Sequence, residues 1–411
     1  MPQGPVPVAE NVPRDLSPWH TGEDMIVVYE FLSEESIENI ITCMNFKIDK
    51  AVFFGYESAV RSHKKVTESF IRKYCKVPQV EFITVPRDDL FETERIIRKE
   101  VEREKASASE LYFDLTGGEE LTLVAIGMIA RDYKIPMHVY DIREGRLIDL
   151  SAGDGAGISV TGIPKYTRFD IDRFIESRGG VINYSLHKDL KSLDDPHLSE
   201  FVDKLWNVSK KYSNDWTCFS AFLREHMAPA GGLDVDRNRD TVEAALKKEN
   251  SEFRSQTKLN DILEELAGIG VLCNLRIDSE KYRFTFKNEL VKECLWDGGS
   301  ILELHTYKNE RARADDCKLG VHLDWDGIIH QRVGDDVYNE IDVMCLNGYI
   351  PTFISCKNGK MSGGTTLHAL YELMAVADHF GGKYARKVLV ATHPIGDVYL
   401  KRAEEMGIEV R

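Results

Sequence analysis

The sequence predicts an α/β protein in three folded parts: a doubly wound parallel sheet, a helical segment closed by a short β-wing, and a second α/β part. Three observations carry this. Between Met25 and Tyr140, short β-branched runs alternate with helical stretches, the pattern of strand–helix–strand units around a parallel sheet. From about Asp194, helical periodicity leads into two short apolar strands ending near Phe286. Beyond them, Asn339 to Gly359 reads as two apolar, β-branched runs around Asn347-Gly348, the dipeptide best suited to a type I′ hairpin turn.

Composition sets outer bounds. A chain of 411 residues has room for two or three domains. Its 43% apolar and 29% charged residues are ordinary for a globular protein. The net charge of −15 argues against polyanion binding over the whole surface. Lys357, Lys360, Lys383, Arg386, Lys387, Lys401 and Arg402 leave the C-terminal region as a candidate basic groove, or as solvated helix surface. The eight cysteines include no CxxC pair, so neither a zinc ribbon nor a thioredoxin-like site is indicated. Cys43, Cys273, Cys345 and Cys356 lie in apolar runs, as small core residues do. A reducing, cytoplasmic location is expected. No apolar run reaches the ~18 residues needed to cross a membrane. Residues 1–24 hold five prolines and no apolar signal region, and are read as a disordered leader outside the fold.

The first domain, residues 25–150, opens with strand Met25 to Tyr29, followed by Ser33-Glu34-Glu35-Ser36 as the start of a helix from Ile37 to Met44. Strand Lys50 to Phe54, a helix from about Ser62 to Cys75, strand Val80 to Val85 and helix Leu90 to Ala106 come next. Strand Leu111 to Leu115 ends in Thr116-Gly117-Gly118, and helix Glu119 to Tyr133 leads to strand Met137 to Tyr140. The sheet is of Rossmann type, where ligands sit beyond the carboxyl ends of the strands. Two loops qualify: Glu30 to Ser36, and Thr116-Gly117-Gly118. Paired glycines before a helix let backbone N–H groups approach a phosphate; a tight strand-to-helix turn is the other reading.

Residues 151–195, rich in glycine and polar side chains, read as a connecting hairpin and linker. Residues 196–295 follow as helices Phe201 to Tyr212 and Phe219 to His226, a break at Ala230-Gly231-Gly232-Leu233, and a helix from Asn260 to Gly268. Two strands, Ile269 to Leu275 and Tyr282 to Phe286, complete a helix–helix–wing order. This winged-helix-like connector either binds DNA or links and dimerises domains; few basic residues cluster in it.

In the last domain, residues 296–411, a two-residue turn at Asn347-Gly348 sets Leu346 opposite Tyr349, Asp342 opposite Phe353, and Glu340 opposite Ser355. Glu340, Asp342, Ser355 and Lys357 then project from one face. Ile341, Val343, Cys345, Thr352, Ile354 and Cys356 take the other. Two carboxylates, a hydroxyl and an ammonium together suit a hard divalent cation. An amphipathic hairpin with a solvated charged face is the plain alternative. His305, two residues past Glu303, points away from it on a helix and reads as structural.

Two resemblances attach to these residues. Glu303 after Trp296-Asp297-Gly298-Gly299, the Glu340-Ile341-Asp342 strand, Ser355-Cys356-Lys357, the helix Leu367 to Phe380 and strand Arg386 to Ala391 resemble the PD-(D/E)xK restriction-endonuclease-like core. Ser355 stands where that family has Glu or Asp. The resemblance implies a metal-dependent nuclease with an α/β/α fold. Glu303, Asp342 and the carbonyl of Cys356 would hold Mg2+ or Mn2+, Glu340 would supply the missing carboxylate, and Lys357 would act on water. Phe-Leu-Ser-Glu at residues 31–34 and Asp-Leu-Thr-Gly-Gly at residues 114–118 resemble CARF domains, the CRISPR-associated Rossmann-like sensors of cyclic oligoadenylate. By that resemblance Ser33, Glu34, Tyr56, Thr116, Gly117 and Gly118 would line the effector pocket. Family members continue Thr-Gly-Gly with Thr-Lys, whereas this chain has Glu119-Glu120. The domain order resembles the CRISPR ancillary nucleases of type III antiviral defence. It implies a homodimer with no membrane contact, activated by a cyclic oligoadenylate such as cyclic tetra-adenylate, and acting on DNA or RNA, single-stranded favoured. The competing reading is a ligand-responsive winged-helix transcription regulator with a degenerate nuclease fold.

Overall fold

The computed structural model describes residues 14–15, 25–107, 110–150, 159–162, 169–186, 196–228, 231–248, 253–324, 327–330 and 338–411. Most of the expected leader lies outside the described residues. Within it, β1 (Arg14–Asp15) pairs in parallel with β3 (Phe46–Lys47).

The N-terminal sheet is built on β2 (Ile26–Phe31), whose six residues are all buried, as a strand covered on both faces must be. Beside it run β4 (Lys50–Gly55), β5 (Gln79–Thr84), β6 (Glu110–Asp114) and β7 (Met137–Asp141), all parallel. An antiparallel extension, β8 (Arg146–Asp149) and β9 (Ser159–Gly162), completes the order β5-β4-β2-β6-β7-β8-β9. Alternation splits the strands between two cores. Ile26 and Val28 pack toward α1 (Ile41–Asn45) and α2 (Glu57–Phe70). Val27 and Tyr29 pack toward α3 (Leu90–Lys105) and α4 (Glu120–Tyr133). The strand order reverses between β2 and β6, so the loops after these two strands open on one crevice. Here the helix expected over Ile37 to Met44 divides into a 3-10 turn, Ser36–Asn39, and the short α1.

The segment expected to be linker contributes to the far sheet. Its α5 (Ile171–Ser177) packs Ile171, Phe174 and Ile175 into the C-terminal core, and β10 (Val181–Ile182) is an edge strand there.

The connector runs α6 (Pro196–Lys211), α7 (Trp216–Phe222), β11 (Asp234–Asn238), α8 (Arg239–Leu246), α9 (Gln256–Gly268), β12 (Leu272–Ile277) and β13 (Lys281–Phe286), with sheet order β11-β13-β12. This is a winged-helix topology. Sequence reading passes over β11 and α8 because β11 buries only Val235 and follows the Gly231-Gly232 break.

The C-terminal domain follows as α10 (Glu289–Trp296), α11 (Ser300–Arg311), β14 (Asp316–Asp324), β15 (Tyr338–Asn347), β16 (Ile350–Lys357), α12 (Gly363–Gly381), β17 (Arg386–Ala391), α13 (Asp397–Glu405) and β18 (Ile408–Val410). Its sheet order is β10-β14-β15-β16-β17-β18. Val343, Cys345 and Ile354 pack with Ile301 and Leu302 of α11. Met344, Leu346 and Phe353 pack with Leu370, Leu373 and Ala377 of α12. The result is the expected α/β/α sandwich.

Two details of the hairpin differ from expectation. Asn347 pairs with Ile350, so the turn is Gly348-Tyr349 and not Asn347-Gly348. Gly348 has φ 58° while Tyr349 is not in the left-handed region, which fits a II′ turn, where only the first position needs positive φ. The register therefore moves by two residues, which preserves faces but changes who stands opposite whom. The second difference lies at Asp342: Ile341 and Val343, expected on one face, enter different cores. The ladder to β14 skips Gly320, at φ 58°, between the pairs Leu319–Val343 and Val321–Ile341, so alternation reverses there.

Candidate active site and ligand pocket

β15 and β16 separate where the candidate catalytic residues begin. Their ladder ends at Val343–Ile354, while β15 stays paired with β14 as far as Tyr338 and β16 with β17 as far as Lys357. Asp342 sits at the crotch of this fork. Its Oδ2 accepts the backbone N–H of Cys356 at 2.6 Å, substituting for a ladder bond, and the Ser355 hydroxyl at 3.3 Å. Ser355 is thus hydrogen-bonded to Asp342, the candidate metal-holding aspartate.

Glu303 stands in the first turn of α11, which crosses behind the fork. Asp297 braces the turn before this helix: its Oδ1 accepts Gly299 N–H at 3.1 Å and its Oδ2 the Ser300 hydroxyl at 2.7 Å. A Cβ on Gly299 would meet Glu303 Oε1 at 3.6 Å and Asp297 Oδ1 at 3.7 Å, so two carboxylates lie over one turn. The thiol of Cys356 lies between α11 and the fork, 3.6 Å from the Thr306 hydroxyl. Burial, then the charges of Asp342 and Glu303, push that thiol far up, with Lys357 opposing. The thiol is turned toward Thr306, and soft sulfur does not suit a hard cation, which leaves Cys356 its carbonyl.

The partner expected for Glu340 requires correction. It stands on the β15 arm opposite His322 of β14, with Oε2 3.7 Å from His322 Nε2, and not opposite Ser355. Among the described residues no group of three or more His, Cys, Asp or Glu side chains is arranged around a common metal position. Two carboxylates and a carbonyl remain, all hard oxygen donors, and magnesium is commonly held by one or two carboxylates with water completing its shell. The residues therefore fit such an ion without Glu340.

Residues the sequence reading did not single out brace the fork. Asn358 donates to the carbonyl of Gly298, tying the end of β16 to the start of α11. Its Oδ1 accepts the Thr392 hydroxyl at 2.9 Å, and Thr392 N–H donates to Lys357 O at 3.2 Å. No motif marks Asn358, though its place directly after Lys357 does. His305 stacks on Trp206 at 4.8 Å in a structural role. Tyr371 on α12 accepts from Arg402 at 3.0 Å. Three of the C-terminal cations are engaged elsewhere: Lys387 pairs with Asp378, Arg402 with Glu405, and Lys383 reaches the other domain.

At the switch point of the N-terminal sheet lies a cavity of ≈ 360 Å³ lined by Ser33, Glu34, Tyr56, Thr116 and Gly118, with Arg87 and Lys383 at its rim. Ser33 donates from its hydroxyl to Glu38 Oε2 at 2.6 Å. Gly117 lies just behind, where a Cβ would approach Ser33 Cβ to 3.0 Å and Glu38 Oε2 to 3.1 Å. The loop needs glycine there for close packing. Gly118 adopts φ +148°, a backbone that side chains disfavour. Thr116 turns its hydroxyl inward, donating to Asp114 Oδ1 at 2.5 Å and accepting Tyr140 N–H at 2.9 Å. Asp114 is buried, which raises its pKa, but His138 and hydrogen bonds from Thr116 and Thr42 outweigh burial and hold it below the usual range. Thr116 thus fixes the loop, its own N–H also donating to Asp114 Oδ1 at 2.8 Å. Tyr56 carries Arg87 over its ring at 5.2 Å, and Arg87 pairs with Glu119 at 3.4 Å.

Residues 293–411 match the family described as Card1-like, endonuclease domain. No curated protein matches the chain in sequence. Three solved structures share the fold. Protein VC1899 from Vibrio cholerae is similar over 94% of this chain and 93% of its own, with TM-score 0.67 and 17% identity. Can2 from Sulfobacillus thermosulfidooxidans, solved in complex with cyclic tetra-adenylate, matches over 94% and 95%, with TM-score 0.62 and 14% identity. A type III CRISPR defence DNA nuclease activated by cyclic oligoadenylate matches 93% of this chain but 48% of its own, with TM-score 0.51 and 14% identity.

Proposed function

We propose that this chain, which carries a Card1-like endonuclease domain over residues 293–411, is a metal-dependent endonuclease of type III CRISPR defence switched on by a cyclic oligoadenylate. The observation that carries the reading is the joining, in one chain, of a switch-point crevice to a strand fork with Asp342 at its crotch. The fold likeness to the Can2 complex makes cyclic tetra-adenylate the first ligand to try.

Glu303, Asp342 and the Cys356 carbonyl would hold Mg2+ or Mn2+, which when bound neutralises phosphate charge and lowers the pKa of water. The residues of the chain do the rest. Asp342 is held in place by the Cys356 N–H, so its outward oxygen needs no reorganisation. Lys357 ends the arm of β16 that β17 keeps straight, where an ammonium would orient the attacking water or stabilise the charge of the phosphoryl oxygens.

A homodimer with one shared pocket is part of the proposal. The cavity of ≈ 360 Å³ lies at the small end of the range for drug-sized ligands, and a ring of four nucleotides is larger than those. Beside it Phe91, Val124 and Leu121 are 78%, 49% and 36% exposed, an apolar face on α3 and α4 that a second copy would cover. Against the regulator reading, α9, the helix such a fold would present to DNA, carries Asp261, Glu264 and Glu265 beside a single Lys258, which pairs with Asp215.

The test is cleavage of single- and double-stranded DNA and RNA with Mg2+ or Mn2+, across cyclic tri-, tetra- and hexa-adenylate. Cleavage that needs both metal and one ring is expected. Cleavage indifferent to every ring would refute the sensor, and none under any condition would refute the nuclease.

A further inference from the structure

A lysine from the nuclease domain lies in the sensor crevice. Lys383, in the 3-10 turn Gly382–Tyr384 directly after α12, is among the residues lining the ≈ 360 Å³ cavity. Its Nζ lies 2.6 Å from Glu38 Oε1, and its backbone N–H donates to Glu35 Oε1 at 2.9 Å. The next residue, Tyr384, donates from its hydroxyl to Glu38 Oε1 at 2.7 Å. The other oxygen of Glu38 accepts from Ser33. One carboxylate thus bridges the first loop of the pocket to the end of a nuclease helix.

Electrostatics make this contact provisional. The cavity is lined by five glutamates, Glu34, Glu35, Glu38, Glu119 and Glu120, against two cations, Arg87 and Lys383. Each cation is engaged by a glutamate of the pocket, Arg87 by Glu119 and Lys383 by Glu38. An anionic ligand entering this space meets a net negative lining, and the cations nearest to it are the two already held by carboxylates. Lys383 is able to move: its side chain is 55% exposed, whereas that of Glu38 is 2% exposed. We propose that Lys383 is a phosphate-binding residue of the sensor pocket, held by Glu38 at rest and transferred to a phosphate of the ligand on binding. The proposal rests on the cyclic oligoadenylate reading above and names the residue that reports the ligand to the nuclease.

The connection onward is short. α12 is a 19-residue helix, about 28 Å of continuous rod. Its far end is capped by Ser362, five residues after Lys357. A pull on Lys383 therefore acts at one end of a helix whose other end adjoins the fork. Arg143 donates to Lys383 O at 3.2 Å, and Arg178 bridges Glu35 and His379 O, so the backbone of the turn is tied to the sensor loops and moves with them.

The experiment is equilibrium binding of cyclic tetra-adenylate to the full chain at two salt concentrations, with cyclic tri- and hexa-adenylate alongside. Wild type, Lys383→Met, Lys383→Arg and Lys387→Met are compared, with thermal melting to confirm folding. Loss of one charge-assisted contact predicts weakening of about tenfold or more for Lys383→Met, a shallower salt dependence, and near wild-type binding for Lys383→Arg. Lys387→Met, in the same domain but paired with Asp378, is expected to bind as wild type. Equal binding and equal salt dependence in wild type and Lys383→Met would overturn the inference and leave the sensor reading intact. Failure of wild type to bind any ring would overturn that reading and the inference with it.

Discussion

Asn45 of α1 and Tyr349 in the turn between β15 and β16 are hydrogen-bonded to each other, Nδ2 to hydroxyl, at 2.9 Å and buried. Tyr349 packs into the core of the N-terminal domain beside Phe169 and Tyr140. The tip of the hairpin is thus plugged into the N-terminal domain. Tyr349→Phe keeps the ring and removes the hydroxyl, leaving a buried amide short of a partner, so a loss of about 1–3 kcal/mol is expected. Chemical denaturation measures it. An unchanged midpoint would mean the bond contributes nothing to the domain junction.

The fork sets a ranking among acids. Asp342→Asn retains an oxygen for the Cys356 N–H, so the fold should hold while cleavage falls by about 100-fold or more. Glu303→Gln should fall comparably. Glu340→Gln should cleave at close to the wild-type rate, because that carboxylate faces His322. Single-turnover cleavage with matched melting curves decides it. A loss in the Glu340 variant as deep as in the other two would return Glu340 to the site.

Glu30 gives a pH prediction. It is fully buried in β2, and burial, then the neighbouring charge of Asp114, raises its pKa well above the ordinary glutamate value of 4.5. The folded state therefore keeps a proton that the unfolded chain releases above that value. Stability falls as pH rises from there toward the raised folded pKa, by about 1.4 kcal/mol per pH unit for one group. Glu30→Gln removes the titration. Its melting temperature should exceed that of wild type by more at pH 8 than at pH 5.5. An equal difference at both would show that folded Glu30 has already lost its proton at pH 5.5.

The exposed face of α3 and α4 gives a test of assembly. Val124→Glu sets a charge among Phe91 and Leu121, where a partner would bury it unpaired. Light scattering should report a dimer for wild type and a monomer for the variant. Persistence of the dimer would put the interface elsewhere.

Much of this architecture is legible along the chain because its information is local. Strand–helix alternation, the Thr116-Gly117-Gly118 turn and the apolar periodicity of α3, α4 and α12 depend on residues a few positions apart. The register of the hairpin was not legible: Asn347-Gly348 is a good turn dipeptide, yet burial of Tyr349 in the sensor core moves the turn to Gly348-Tyr349. The same holds for Glu340, whose orientation is set by the reversal at Gly320 on another strand. It holds again for Lys383, a surface lysine by its local pattern, which meets Glu38 only because α12 ends against the other domain. Periodicity tells each residue which face of its own element it occupies. Which partner waits there is decided by packing between segments hundreds of residues apart.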